Sequence, residues 1–231
     1  MIPKIAHFIW FGLEHPTWVN DNIKLFCDYH PSWEVKLHNE GTDWLSYIPS
    51  SLKDAAINSD RYCTFSDILS YSILEKEGGV YLDADMVTLR PIDNLLDCEC
   101  FAGKVKSGQI NCAVVGSIPH SKGISKVIDA CEARIRLGEI QRASFGPRLL
   151  SRLFINTRKH PEISILPYHY FYLFRDHESA HSWWDADVDK RESLIDAEHS
   201  DFLDGINPYL IHLWGVDGSG LRDVEGGVLF D

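Results

Sequence analysis

Short apolar runs and longer amphipathic stretches alternate along the chain. The runs Lys4–Phe11, Trp33–Leu37 and Val80–Leu82 combine aromatic and aliphatic residues over strand-like lengths, and they predict three strands. Residues 16–29 and 62–77 carry apolar side chains at helical spacing, and they predict two helices that pack against the sheet. Alternation of this kind predicts an α/β fold with a mixed central sheet flanked by helices.

The second half of the chain continues the alternation as far as Pro167. Strands are predicted near Cys100–Val105 and Asn111–Ser117, and a helix over Gly123–Leu137. A further helix begins at Phe145-Gly146-Pro147, where a proline in the first turn lacks only an N–H that has no helical partner. Beyond Pro167 the sequence is irregular and rich in aromatic residues and histidine. We therefore predict one domain that spans residues 1–231.

One strand is followed by two closely spaced carboxylates. Gly78 and Gly79 end the helical pattern and permit a sharp turn, and Val80–Leu82 forms a short buried strand before Asp83 and Asp85. Alternate residues of an extended chain share a face, so we expect these two side chains to point the same way. Two adjacent carboxylates are costly unless a cation lies between them, and Mg²⁺ or Mn²⁺ fits such oxygen ligands.

Composition limits the classes of partner. The chain has 231 residues and a net charge of −12, with no lysine or arginine cluster, which argues against a nucleic-acid binder. Its six cysteines form no CxxC pair, so we expect reduced thiols. There is no signal-peptide pattern and no apolar run of membrane-spanning length. We therefore expect a cytoplasmic protein without a transmembrane segment; peripheral membrane contact and the oligomeric state stay open.

Several segments together resemble glycosyltransferase family 32, the sugar transferases with an Asp-x-Asp (DXD) motif, and more distantly the catalytic domains of clostridial glucosylating toxins. The resemblance is carried by Ile2–Gly12, Ser66–Leu69, Tyr81–Asp85 with Arg90-Pro91, Asn111–Ala113 and Gly146-Pro147. It implies a Rossmann-like GT-A fold and a metal-dependent enzyme that uses a nucleotide-sugar donor. It also implies that residues 1–110 bind the nucleotide-sugar and metal, and that residues 111–231 form the acceptor side and closing segment.

The resemblance assigns roles to individual residues. Trp10 would stack on the nucleotide base beside the backbone of Phe8 or Ile9, and Asp67 would contact ribose or donor-sugar hydroxyls. Asp83 and Asp85 would be the catalytic metal ligands. The other implied donor-binding residues are Tyr71, Tyr81, Ala84, Asn111 and Trp214. The family commonly has an arginine where this chain has Ser70; Arg61, Lys104 or Arg148 could compensate.

The C-terminal segment around His212 and Trp214 resembles the family's closing His-x-Trp segment. His212 would then be a third metal ligand or a diphosphate donor, with a packing histidine as the alternative. The expected reaction retains anomeric configuration by front-face attack. The expected donor is a UDP-sugar first and a GDP-sugar second, and the acceptor is a glycan or lipid-linked glycan in surface polysaccharide assembly. Aromatic residues that could line the acceptor site, or instead belong to the core or an oligomer contact, are Tyr168, Tyr170, Trp183 and Trp184.

Other motifs indicate different functions. His177-Glu178-Ser179-Ala180-His181 matches HExxH, which on a helix would indicate a zinc metallopeptidase, although no third ligand follows at the spacing of the extended motif. Asp185, Asp187 and Asp189 resemble the start of a calcium loop but lack its glycine and distal glutamate. A nucleotide-sugar-binding module without catalysis is a further alternative, which the serine at position 70 supports.

Overall fold

A computed structural model describes residues 1–12, 16–59, 62–138, 145–154, 156, 159–174, 177–186, 190 and 207–214. The strands are β1 (Ile5–Ile9), β2 (Glu34–His38), β3 (Gly79–Leu82), β4 (Met86–Thr88), β5 (Cys100–Lys104), β6 (Ile110–Ser117), β7 (Ser164–Leu166) and β8 (Leu210–His212). The α-helices are α1 (Thr17–Tyr29), α2 (Ser50–Ile57), α3 (Tyr62–Glu77), α4 (Lys122–Arg136), α5 (Pro147–Phe154) and α6 (His177–Trp184).

Six strands form the central sheet in the order β2-β1-β3-β6-β5-β7. Strand β1 is parallel to β2 and β3, whereas β6 is antiparallel to both β3 and β5. Strands β4 and β8 form a separate antiparallel pair. The predicted mixed α/β fold is thus confirmed, and the carboxyl ends of β1 and β3 lie at one edge of the sheet, where ligands bind in open α/β folds.

Apolar side chains pack on both faces of the sheet. Along β3, Tyr81 belongs to one buried cluster, which also contains side chains of α2, α3, α4 and α5. Val80 and Leu82 belong to another, together with Phe26 of α1 and Phe171. Successive residues of a strand point to opposite faces, so this division places helices on both sides of the sheet.

A pair of glycines connects α3 to β3. Gly78 ends the helix with φ of +68°, and its N–H donates to the carbonyl of Leu74 at 3.0 Å. Gly79 has φ of +95°, and a Cβ there would lie 2.5 Å from the carbonyl oxygen of Ile5. Glycine is therefore needed at Gly79 both for its conformation and for the close approach of β3 to β1.

Most predicted elements of the first half are present, and the differences are local. The first strand is shorter than predicted, at Ile5–Ile9, and the helix predicted over Gly123–Leu137 is α4. Helix α2 and the three-residue strands β4, β7 and β8 were not predicted. Within the described ranges no disulfide joins the six cysteines, and no helix is long and apolar enough to cross a membrane.

Candidate active site

The two motif aspartates lie in a tight turn between β3 and β4. Strand β3 ends at Leu82, and the N–H of Asp83 donates to the carbonyl of Ala113 at 2.8 Å. The N–H of Met86 then donates back to the carbonyl of Asp83 at 3.0 Å, which closes the turn. We expected Asp83 and Asp85 to point the same way because they lie on one extended strand, and this reason was wrong. The two carboxylates converge because the backbone turns between them.

His212 completes a cluster of three polar side chains. Strand β8 pairs with β4 so that His212 lies opposite Met86. Its Nε2 atom is 3.2 Å from Oδ1 of Asp85 and 3.8 Å from Oδ2 of Asp83. One ligand atom from each of the three residues can be chosen so that all lie within 4.8 Å of one another. Among the described residues this is the one group of three or more such side chains with metal-site spacing.

Asp83 is the most exposed member of the cluster. Asp83 keeps 36% of its side-chain surface exposed, whereas Asp85 and His212 keep 11% and 9%. The loss of solvent raises the pKa of Asp83, and the neighbouring charge of Asp85 raises it further. Burial alone would lower the pKa of His212, but the charges of Asp85 and Asp83 raise it above its usual value. Both carboxylates lie near one imidazole, so their negative charges are only partly balanced. A divalent cation bound between them would stabilise this arrangement.

Neighbouring groups hold the turn in place. The side-chain amide of Asn22 on α1 donates to the carbonyl of Ala84 at 3.0 Å. The N–H of Leu213 donates to the carbonyl of Asp85 at 3.2 Å. The hydroxyl of Tyr81 donates to Oδ1 of Asp83 at 2.7 Å, which orients that carboxylate. The turn is thus fixed from α1, from β3 and from the segment after β8.

Asp67 lies on α3 near the same edge of the sheet. Its Oδ1 atom accepts a hydrogen bond from the thiol of Cys112 at 3.3 Å. A Cβ on Gly146 would lie 2.7 Å from its Oδ2 atom, so the glycine leaves room for the carboxyl group. Burial raises the pKa of Asp67 to about 8; the Cys112 hydrogen bond lowers it, while the charge of Asp83 raises it further. Sequence reasoning had identified neither contact, since both join segments distant in the chain.

Other predicted donor-binding residues fall into two groups. Phe8 and Ile9 have buried side chains, so only their backbone could contact a base. Trp10 is half-buried at the end of β1 and lies edge-to-face with Trp18, with 5.3 Å between the ring centroids. Trp214 is also half-buried; its Nε1 donates to the carbonyl of Phe174 at 3.1 Å.

The remaining predicted donor-binding residues are Tyr71, Asn111 and Ala84. Tyr71 is fully buried, and its hydroxyl has no hydrogen-bond partner among the described residues. Its pKa is raised well above the usual value by burial and by the nearby groups of Cys112 and Asp67. Asn111 is buried at the start of β6, and its side-chain oxygen accepts from the N–H of Ala113 at 2.9 Å. Ala84 is the middle residue of the turn.

Ser70, at the position of the family arginine, makes a hydrogen bond within its own helix. The hydroxyl of Ser70 donates to the carbonyl of Asp67 at 2.9 Å within α3, and its side chain is buried. Lys104 and Arg148 are exposed, whereas Arg61 lies outside the described residues.

A cavity adjoins the cluster on the side of the β5–β6 hairpin. It has a volume of about 460 Å³ and is lined by Val105, Lys106, Ser107, Gln109, Tyr172, Phe174 and Trp214. Its wall reaches the cluster because the ring of Trp214 lies 4.4 Å from that of His212, and the ring of Tyr172 lies 5.8 Å from it. The aromatic content of the sequence after Pro167 indicated this region, but not the hairpin residues.

Of the aromatic residues predicted for an acceptor site, Trp183 has another role. It is buried in a cluster with Leu173, Phe174 and Leu213, because α6 packs its apolar side there. Tyr168 and Tyr170 are half-buried, and the side chain of Trp184 lies outside the described part of the chain.

The HExxH segment lies on a helix, α6. The side chains of His177, Glu178 and His181 lie outside what the structure describes, as do Asp187 and Asp189. The zinc and calcium hypotheses therefore stay predictions.

Residues 16–102 match the family described as "Glycosyltransferase sugar-binding region containing DXD motif". This region is similar to the DXD glycosyltransferases. The matched segment contains Asp67, Asp83 and Asp85, whereas Trp10, His212 and Trp214 lie outside it. The predicted family resemblance is confirmed. Over 123 residues the chain is 31% identical to inositol phosphoceramide mannosyltransferase 3 of Schizosaccharomyces pombe. That alignment covers 50% of this chain but 33% of the yeast protein, so the match spans about a third of the relative's length.

Solved structures share the fold of this chain. The PaToxG glycosyltransferase has a TM-score of 0.58 at 14% identity, and covers 89% of this chain and 81% of its own. The apo form of the glycosyltransferase GlyE of Streptococcus pneumoniae TIGR4 has a TM-score of 0.54 at 15% identity, and covers 91% of this chain and 54% of its own. The glycosyltransferase domain of the YGT toxin gives 0.52 at 10% identity, with 87% and 90% covered. The predicted GT-A fold is confirmed.

Proposed function

We propose that this chain is a metal-dependent glycosyltransferase that moves a sugar from a nucleotide-sugar donor to a hydroxyl group of a glycan or lipid-linked glycan. The observation that carries the proposal is the convergence of Asp83, Asp85 and His212 at the end of β3, inside and beside a DXD family region. Asp83, Asp85 and His212 would hold Mn²⁺ or Mg²⁺. The carboxylates suit either ion, and the imidazole favours Mn²⁺.

The donor would lie across the carboxyl edge of the sheet. Trp10 at the end of β1 would face the base, since its half-buried ring offers a flat apolar surface. Asp67 would accept hydrogen bonds from donor hydroxyls, because its carboxyl group lies beside Gly146 and Cys112 at the same edge. A cation bound between these sites would neutralise the charge that develops on the departing diphosphate.

The geometry supports front-face attack with retention. A double-displacement mechanism needs an ionised carboxylate below the donor sugar. Asp67 lies near enough to Asp83 for the charge of Asp83 to affect it, and its pKa of about 8 keeps it largely protonated at neutral pH. A protonated acid binds hydroxyls but is a poor nucleophile. The proton of the acceptor would therefore pass to the leaving phosphate oxygen.

The acceptor would enter through the cavity beside the β5–β6 hairpin. It lies on the opposite side of the aspartates from β1, since β6 and β5 follow β3 in the sheet order. Trp214 and Phe174 offer apolar faces for a sugar ring, while Ser107 and Gln109 offer hydrogen-bonding groups. The activity named for the yeast relative makes mannose a candidate sugar and a lipid-linked acceptor a reasonable choice. A cytoplasmic location and a role in surface polysaccharide assembly remain part of the proposal.

The decisive experiment measures donor binding and turnover. UDP- and GDP-sugars, including GDP-mannose, would be screened by thermal shift with Mn²⁺, and nucleotide release would then be measured for each donor that stabilises the protein. We expect release by the wild type and loss in Asp85→Ala, with Asp97→Ala as an exposed acidic control. No Mn²⁺-dependent donor binding, or full turnover by Asp85→Ala, would contradict the proposal.

The same experiment separates the alternatives. Donor binding without nucleotide release, with candidate acceptors present, would favour a binding module that lacks catalysis. Bound zinc together with peptidase activity that is lost in Glu178→Gln would favour a metallopeptidase.

A further inference from the structure

Arg90, just after β4, contacts the backbone that leads into β8, the strand that carries His212. Two backbone bonds join the strands next to it, because the N–H groups of Leu89 and Arg90 donate to the carbonyl of Tyr209 at 2.9 and 3.3 Å. The guanidinium of Arg90 adds further contacts. Its Nε donates to the carbonyl of Pro208 at 3.2 Å, and its Nη2 to the carbonyl of Asn207 at 2.5 Å.

The same guanidinium lies over an aromatic ring. Its central carbon is 3.5 Å from the centroid of the Tyr209 ring, a distance at which cation and ring attract each other. We name Arg90 with Asn207, Pro208 and Tyr209 the Arg90 latch. Arginine is suited to this arrangement, since its planar group stacks on the ring while its N–H donors reach two carbonyls in the same plane.

The latch matters for the cluster because β8 has only three residues, Leu210–His212. A strand this short has few ladder hydrogen bonds to define its register against β4. A slip of one residue would turn His212 to the opposite face of the pair and away from Asp83 and Asp85. The contacts of Arg90 fix the backbone immediately before the strand.

We propose that Arg90 is a positioning residue of the metal site, which acts by holding His212 in register with the two aspartates; this inference rests on the metal-dependent function proposed above. Among the described residues, the contacts of Arg90 are with backbone carbonyls and the Tyr209 ring, not with the carboxylates. Its effect on the metal therefore passes through His212.

Loss of the latch should not unfold the chain. Strand β8 is also bonded on its other side, where the N–H of Tyr209 donates to the carbonyl of Tyr170 at 2.9 Å and that of His212 to the carbonyl of Phe171 at 3.2 Å. In Arg90→Ala, we expect β8 to stay bonded to the segment that contains Tyr170 and Phe171, while its register against β4 becomes less well defined.

The test uses Mn²⁺ alone as the probe, with affinity measured by calorimetry on the full chain. We expect Arg90→Ala to weaken Mn²⁺ binding about tenfold, since groups that support a metal ligand typically change affinity by 10- to 100-fold. His212→Ala should weaken binding at least as much, and the double variant no more than His212→Ala alone. Arg90→Lys keeps the charge over the ring but loses the planar fork, so it should recover part of the affinity. Arg136→Ala removes an exposed arginine of α4 and should bind as the wild type does.

Hydrogen exchange gives a readout that is independent of the metal. The amides of Leu210–His212 should exchange faster in Arg90→Ala and at the normal rate in Arg136→Ala. Should Arg90→Ala fail to fold, Arg90→Lys with the same two measurements decides.

The outcomes separate this inference from the proposed function. Wild-type affinity in Arg90→Ala, or a further loss in the double variant beyond that of His212→Ala, overturns the positioning role while the metal site stands. A wild type that binds no Mn²⁺ overturns both.

Discussion

The imidazole of His212 lies 3.2 Å from the carboxylate of Asp85, although the two residues are far apart in the sequence. The contact is possible because β8 pairs with β4 directly after the DXD turn. The imidazole supplies a single partner to two carboxylates, and the repulsion between Asp83 and Asp85 raises the pKa of Asp83. The negative charge of the two carboxylates is thus only partly balanced by His212. A cation that binds there should therefore also stabilise the fold, so that both cation affinity and unfolding free energy report on this site.

Asp85→Asn should remove cation binding and the stability gained from it together. The substitution keeps the shape of the side chain but removes the charge that binds the cation. Wild-type protein at a Mn²⁺ concentration a hundredfold above its Kd should gain about 2.7 kcal/mol of unfolding free energy, whereas Asp85→Asn should gain little. The measurement is thermal or urea unfolding with and without Mn²⁺. Asp97→Asn, at an exposed site, should gain as the wild type does; full stabilisation of Asp85→Asn would show that the ion binds elsewhere.

Asp67→Asn should stabilise the ligand-free protein at neutral and higher pH. The folded pKa of about 8 exceeds the usual 3.8, so the folded state binds more protons than the unfolded chain between these values. Stability therefore falls as pH rises through this window, and an amide, which does not titrate there, removes that loss. We expect a gain of about 1 kcal/mol or more at pH 8, since one unit of pKa corresponds to about 1.4 kcal/mol.

The same substitution should weaken donor binding about tenfold at about pH 9, where the Asp67 carboxyl is ionised and the amide replaces one acceptor oxygen with a donor group. Urea unfolding from pH 5 to 8 and donor titration with Mn²⁺ check the two effects. A variant less stable than the wild type throughout that range, with normal donor affinity, would contradict both the pKa argument and the donor-binding role.

Gly146→Ala tests the position of the Asp67 carboxyl group by steric means. The added methyl carbon would lie 2.7 Å from Oδ2 of Asp67, so the carboxyl group must move. We expect weaker donor binding with a loss of stability of about 1 kcal/mol, typical of a local clash that a side chain can relieve. In an Asp67→Ala background the added methyl should have little further effect on donor affinity. Additive losses in this double-mutant cycle would place the effect of the methyl group elsewhere.

The fold of the first half could be predicted because its signals are local. Strand β3, the glycine pair after α3 and the motif aspartates are each defined by neighbouring residues, through apolar periodicity and turn chemistry. Strands β4 and β8 could not be predicted, since three residues carry no periodicity and each is a strand only because the other lies beside it. The wrong account of the DXD turn has the same origin: the chain bends where β8 and Asn22 hold it.

In the candidate site, too, local patterns identified some residues, whereas the contacts between distant segments could not be predicted. Asp83, Asp85 and Asp67 were identifiable from their positions after a strand and along a helix. The proximity of Cys112 and Gly146 to Asp67 depends on how β6 and α5 pack against α3, and no short-range pattern contains that information. His212 was identified by resemblance, but its distance from the aspartates is set by strand pairing.

The buried pair His7 and His38 should make the protein acid-sensitive. The Nε2 of His7 lies 2.9 Å from the carbonyl of Gly78, which can only accept, so His7 donates there. In the neutral pair its Nδ1 therefore accepts from Nε2 of His38, 3.1 Å away. Protonation of His7 would leave two N–H groups facing each other. Burial and the proximity of His38 lower the pKa of His7 to about 4. Burial likewise lowers the pKa of His38 to about 4, with a further decrease from Lys36, although Glu77 raises both values.

The sign of the effect follows from proton binding. Between pH 4 and 6.5 the unfolded chain binds protons that the folded pair excludes, so stability falls as the pH is lowered through this window. Each histidine contributes a slope of up to about 1.4 kcal/mol per pH unit. His38→Gln keeps a side-chain donor for His7 but does not titrate, and should flatten the slope measured by urea unfolding. His120→Gln, at an exposed site, should leave it unchanged. An equal slope in wild type and His38→Gln would show that other groups cause the acid sensitivity.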